Sequence, residues 1–218
     1  MASRPARLLA ISLHNPPWFD ETYAPLLTAI RSKAEFQRAE DSASALRFLS
    51  QQPEPTAILI TDEALTLHKN RAVWEAVLDY VSRGGVAVVM GLFSSFVKPN
   101  KIKPFFSKPG LPWGAGSYHR TTLILNQAVV DAASVEKLAP SYSQKALFVN
   151  NVVPGDMWYR TDQDSVVESR VFPPDNAHTP GETAVALAKV GQGRLGYVGD
   201  VNAEAGSNAV VLAMCGLL

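Results

Sequence analysis

The sequence predicts a flavodoxin-like α/β fold, a doubly wound and mostly parallel sheet with helices on both faces. Three observations carry this. Leu8–Leu13, Ala57–Ile60 and Val86–Met90 are continuously apolar, as strands covered on both faces are. Between these runs, apolar residues recur at three- and four-residue spacing, the mark of helices that bury one side. The strand–helix order repeats along residues 8–90, which argues for right-handed crossovers and a parallel sheet. A composition of 47% hydrophobic and 18% charged residues is that of a globular chain.

The elements follow in order. Leu8–Leu13 is the first strand, stopped by His14-Asn15-Pro16-Pro17. Tyr23, Leu26, Leu27 and Ile30 then mark a helix face, with Pro25 in a first turn, where its missing N–H costs nothing. Glu35–Arg38 is a short second strand. Asp41 or Ser42 can cap a second helix whose inner face carries Ala45, Leu46 and Leu49. Ala57–Ile60 leads into the polar exit Thr61-Asp62-Glu63. Trp74, Val77, Leu78 and Val81 mark the third helix, ended by Gly84-Gly85. Val86–Met90 is the fourth strand.

The second half is less regular. Residues 98–116 hold Pro99, Pro104, Pro109 and Pro112 with Gly110, Gly114 and Gly116, so an irregular stretch is expected. His119–Leu125 and Lys145–Val149 read as strands, with a helix between them over Val129–Leu138. Residues 154–181 are again interrupted, with a strand expected at Val166–Val171. Thr183–Val190 and Leu195–Val198 form a closing hairpin around Gly191-Gln192-Gly193-Arg194. A last helix runs from Glu204 to Leu217 and packs through Val210, Val211 and Met214.

Composition bounds the function. The chain has 218 residues, within the range of one α/β domain, so residues 1–218 are read as a single domain. Twenty acidic and 20 basic residues cancel, giving no electrostatic reason to expect nucleic acid. The apolar run after Met1–Arg7 is too short for a signal peptide, and no stretch reaches the ~18 apolar residues of a membrane span. The one cysteine, Cys215, excludes an internal disulfide and a cysteine-based zinc site, and a reducing, cytoplasmic setting is expected. Cys215 lies in an apolar helix and reads as a core residue. No cofactor or metal is expected, since His14, His68, His119 and His178 lack ligand spacing. Gly191-x-Gly193-x-x-Gly196 precedes a strand, the wrong context for a dinucleotide site.

Ligands of parallel α/β sheets bind outside the carboxyl ends of the strands. Those exits carry the candidate ligand-binding residues His14, Asn15, Asp62, Glu63, Gly91, Phe93, Ser94, Asp200 and Asn202. Within this set His14, Asp62 and Asp200 are the candidates for acid–base work. The plainer reading of Asp62 is a cap on the turn that follows it.

Three segments resemble the class I glutamine amidotransferase-like superfamily, most closely its ThuA-like (trehalose-utilisation-type) branch. They are Ile58–Leu65, Val77–Gly91 with Tyr80-Val81-Ser82-Arg83-Gly84-Gly85, and Val190–Asp200 with its Gly-x-Gly-Arg turn. The resemblance implies a cysteine nucleophile in a Gly-x-Cys-x-Gly elbow after the fourth strand. Here that segment reads Gly91-Leu92-Phe93-Ser94-Ser95, with Phe93 at the nucleophile's position. The His-x-Glu pair expected near the end of an amidotransferase is replaced by Asp200-Val201-Asn202. Amidotransferase chemistry is therefore not expected, and Phe93 is expected to close the floor of a strand-exit pocket.

Three functions follow as expectations. The first is a non-catalytic or divergent domain that binds a small polar or sugar-like ligand, a class the resemblance implies, or acts as an interaction module. The second is a hydrolase or isomerase built on His14, Asp62 and Asp200. The third is a structural homodimer through its proline-rich loops. Lys98, Lys101, Lys103 and Lys108, interleaved with Phe105, Phe106 and Trp113, are read as a loop that buries its aromatics rather than as a nucleic-acid surface.

Overall fold

The computed structural model describes residues 5–171 and 173–218. Met1–Arg4 lie outside them, and with them part of the N-terminal reading. Strand β1 spans Ala6–Ile11, followed by a short helix α1 (Phe19–Thr22), helix α2 (Ala24–Lys33) and strand β2 (Ala34–Ala39). Helix α3 (Ser42–Leu49), strand β3 (Ala57–Ile60), helix α4 (Arg71–Ser82) and strand β4 (Val86–Val89) complete the predicted repeat. Asp41 caps α3, its side chain accepting from Ser44 N at 2.8 Å and so satisfying one of the free N–H groups of the first turn. Leu46 departs from the expected inner face of α3: it is exposed, and Ala45 takes the buried position.

The middle is more ordered than its prolines suggest. Short helix α5 (Phe93–Phe96) and helix α6 (Pro99–Ser107) precede the long strand β5 (Gly114–Leu125). Pro99 starts α6, while Pro104 lies inside it. An interior proline costs about 3 kcal/mol. Burying Ile102, Phe105 and Phe106 returns about 1.5–3 kcal/mol each, so packing outweighs propensity here.

Helix α7 covers only Ala132–Val135 of the expected Val129–Leu138 helix, and β6 spans Ser141–Asn150. The expected strand at Val166–Val171 is not formed: Val166 makes one isolated bridge to Asn176. Its would-be neighbour β5 already pairs with β6 and with β7 (Met157–Arg160), a strand that sequence periodicity did not mark. Strands β8 (Val185–Val190) and β9 (Gly193–Val198) form the closing hairpin, and α8 (Ala205–Met214) ends the fold. The hairpin turns on Gly191 at φ +59°, the left-handed conformation that a tight two-residue turn demands.

The nine strands form one sheet in the order β2-β1-β3-β4-β9-β8-β7-β5-β6. From β2 to β9 every pairing is parallel, and from β9 to β6 every pairing is antiparallel. Alternation along each strand sends side chains to two cores. Leu8 and Ala10 join the core under α2 and α8, while Leu9 and Ile11 join the one that holds Trp74, Phe93 and Phe106. The chain steps from β1 outward to β2 and then back across to β3. The gap between β1 and β3 is therefore the topological switch point of the parallel half.

Candidate functional site

The switch point gathers polar side chains from two strand exits. Ser12 and Thr61, the first residues past β1 and β3, are buried and share a hydroxyl–hydroxyl bond of 2.7 Å. Beyond them Asp62 ties the two exit loops together. One carboxylate oxygen accepts from His14 N and the other from Ala64 N, each at 2.9 Å. Burial pushes the Asp62 carboxyl up, against the pull of these backbone bonds. Asp62 is thus a cap, as its plainer reading expected, and also a staple between loops.

His14 and Glu63 form the outward face of this cluster. The His14 ring meets Glu63 Oε1 through Nδ1 at 2.9 Å. That bond fixes the ring and leaves Nε2 as the group available to a ligand. The His14 side chain is 37% exposed and that of Glu63 19%. Ligand atoms of His14, Asp62 and Glu63 all lie within 4.8 Å of one another, a set of one nitrogen and two oxygens that could hold a divalent cation. Asn15 turns to the β2 side, its Nδ2 donating to Glu40 Oε1 at 3.1 Å. A cleft of about 320 Å³ opens there, lined by Leu13, His14, Glu40, Asp41, Lys69 and Asn70 among others.

Asp200 does not join this group. It follows β9, whose axis lies three strand positions from β1 and two from β3, roughly 14 and 10 Å at ~4.8 Å per strand, and it is not among the ligand atoms gathered with His14 and Asp62. The composite of His14, Asp62 and Asp200 is therefore not assembled. Asp200 instead accepts from Asn202 N at 2.6 Å and Glu204 N at 2.8 Å, at the start of α8. Burial, then the neighbouring Glu204 carboxyl, pushes Asp200 up to about 7. Burial opposes ionisation of Glu204, yet its bonds from Asp200 and Arg120 hold it below the usual carboxylate range. The two carboxyls are thus shifted in opposite directions. Glu204 Oε1 takes the Arg120 guanidinium at 2.6 Å, while its buried Oε2 has no hydrogen-bond partner among the described residues. Asn202 is drawn into the same network, its amide oxygen accepting from Arg120 at 2.7 Å. The sequence had no signal for this pair, because the carboxylates lie four residues apart across a loop.

The fourth-strand exit is also rearranged. The sharp turn sits at Gly91, with φ +66°, and a Cβ there would lie 2.9 Å from Thr61 O. Phe93 begins α5 and points inward. It is 0% exposed, with Phe105 at 5.3 Å and Phe106 and Tyr197 at 6.3 Å between ring centroids. The expectation that Phe93 floors a pocket is thus corrected: it is a core residue. Ser94 is also buried and faces the Tyr197 hydroxyl at 3.1 Å. Phe105, Phe106 and Trp113 are buried, as expected of a loop that buries its aromatics, so of the aromatics in residues 96–113 Phe96 alone is exposed to serve a proline-loop dimer. Cys215 lies in the opposite core, its thiol pushed up to about 12 by burial.

Sequence reasoning missed two exposed rings. Trp18 and Phe96, 45% and 53% exposed, face each other at 6.4 Å beside the β1 and β4 exits. Trp18 broke the apolar spacing of its segment, which was the available signal. Among the described residues no helix is long and apolar enough to cross a membrane.

No family model and no curated protein matches the chain. Solved structures do. A ThuA-like protein from Bacteroides uniformis superposes with a TM-score of 0.58 at 10% identity, over 98% of this chain and 91% of that one. A ThuA-like protein from Parabacteroides merdae gives 0.53 at 14% identity, over 98% and 89%. A β-galactosidase from Bacillus circulans gives 0.53 at 13% identity, where this chain spans 31% of that enzyme. The parallel core, the antiparallel extension and the closing hairpin with α8 are together the ThuA-like fold.

Proposed function

We propose that residues 1–218 act as one ThuA-fold domain that binds a small polar or sugar-like ligand at the β1–β3 switch point and performs no amidotransferase chemistry. The observation that carries this is the His14–Glu63 pair. It is oriented by Asp62, partly open to solvent, and placed where parallel sheets receive ligands. Two further facts support it. Residues 91–95 hold no cysteine, and Cys215 is buried with a raised thiol pKa, which suppresses the thiolate. A β-galactosidase shares the fold over part of its length, which supports a carbohydrate-like ligand. A cytoplasmic setting is part of the proposal.

A hydrolase or isomerase is the second reading, favoured by the raised carboxyl of Asp62 beside an oriented imidazole. Its residues narrow to His14, Asp62 and Glu63.

A thermal-shift panel of neutral sugars, polyols, amino acids, organic acids and nucleotides, each with and without zinc or manganese, tests the proposal. A ligand at one hundred times its dissociation constant adds about 2.7 kcal/mol of apparent stability. We expect one class to stabilise the protein and His14→Ala with Glu63→Gln to abolish that shift. If no compound acts, or if the double variant responds like the parent, the switch-point site is wrong.

A further inference from the structure

The ring pair beside the switch point is half exposed. Three of the four tryptophans, Trp74, Trp113 and Trp158, are 1–4% exposed, whereas Trp18 is 45% exposed. Trp18 stands four residues after His14 in the same exit loop. That loop crosses the exit of β3, because Phe19 packs against Gly91 at the end of β4. Phe96 ends α5, which packs against the 3₁₀ turn Glu63–Thr66. Trp18 thus shares the exit loop of His14, and Phe96 belongs to the helix packed on the turn that carries Glu63.

We infer that Trp18 and Phe96 form the apolar half of the ligand site, and that the ligand is a pyranose. A pyranose has a C–H face that packs on aromatic rings and a rim of hydroxyls that suits an imidazole nitrogen and a carboxylate. A purely polar ligand would leave the rings unexplained, and a purely apolar one would desolvate the His14–Glu63 pair and leave His14 Nε2 unmet. Area argues against a second copy of the chain. Fully buried aromatic side chains contribute 150–250 Å² each, so two half-exposed rings offer roughly 200 Å². A stable protein interface needs about 800 Å² per partner. Two rings are the right scale for one sugar ring.

The inference rests on the proposed switch-point site but fails separately from it. Iodide quenching of intrinsic fluorescence reads Trp18 against three buried tryptophans. The probes are methyl glucoside, methyl galactoside and methyl mannoside, with sorbitol as a polyol that lacks a ring face. We expect at least one pyranoside to shield Trp18 from iodide and sorbitol not to. Trp18→Ala and Phe96→Ala should each weaken that pyranoside's binding about tenfold, while the circular dichroism of both variants stays that of the parent. A non-sugar ligand that stabilises the protein through His14, without shielding Trp18, overturns the inference and keeps the site. Pyranoside binding unchanged in both ring variants does the same. Shielding of Trp18 that grows with protein concentration in the absence of sugar assigns the rings to a second copy and overturns the inference.

Discussion

The exits of β1 and β3 and the exit of β9 lie along one edge of the sheet, yet they treat their carboxylates in opposite ways. At the switch point Asp62 is spent on two backbone N–H groups, so that Glu63 and His14 can face outward. At β9 Asp200 accepts from two backbone N–H groups at the start of α8, and Glu204 takes the Arg120 guanidinium. The first arrangement leaves hydrogen-bonding capacity for a ligand. The second turns most of it inward, onto backbone N–H groups and Arg120. Position at a strand exit is therefore not enough to make a site. What decides is whether the fold leaves polar atoms unspent at the surface.

The largest effect should come from breaking the closed cluster. Asp200→Ala removes the acceptors of both Asn202 N and Glu204 N, for a loss of about 2–4 kcal/mol. Glu63→Gln, at the open cluster, should cost under about 1 kcal/mol. Urea unfolding of the two variants checks the contrast, and equal losses would erase it. The pH dependence has a definite sign. Asp200 rises from its usual 3.8 to about 7 on folding, so the folded state holds a proton that the unfolded chain has released. Stability should fall as pH climbs from about 4 to about 7 and level off above. Glu204 works in the opposite sense, and only at the acid end, below its usual 4.5. Asp200→Asn keeps a donor towards Glu204 but cannot ionise. It should flatten the fall between pH 5 and 7, and a fall that persists in that variant belongs to another group.

A smaller loss should follow at the β4 turn. Gly91→Ala places a Cβ 2.9 Å from Thr61 O in a left-handed conformation, which costs about 1–3 kcal/mol. Unfolding midpoints read this directly. A variant as stable as the parent would mean that the turn can open, and that Gly91 returns to the list of ligand contacts.

Legibility followed local rules. Ala57–Ile60 and Val86–Val89 emerged from the sequence nearly to the residue, because a strand buried on both faces has no polar alternation to blur it. Helix α6 was hidden, because Pro99 and Pro104 outvote the periodicity of Ile102, Phe105 and Phe106 until their burial is known. Strand β7, at four residues, is too short to show a period. At the site, strand exits could be read as places but not as directions. Sequence placed Phe93 and Ser94 at the edge of the sheet, yet the turn at Gly91 starts a helix that carries both inward. Trp18, beyond the first exit, ends outside. One backbone turn decides such outcomes, and no spacing rule encodes it.

Ser94 gives the finest test of this division. Its hydroxyl meets Tyr197 OH at 3.1 Å, and Tyr197 OH in turn donates to Leu147 O at 2.7 Å. Ser94→Ala therefore removes one neutral bond and leaves the tyrosine's donor bond in place. The cost should sit near the low end of 0.5–1.5 kcal/mol. Ligand affinity should not move, because the Ser94 side chain faces the core and not the His14 face. A serine that touched the ligand would show the reverse, a several-fold loss of affinity with no change in unfolding midpoint. The two measurements on one variant thus separate a residue that only lies near the exit from one that opens onto it.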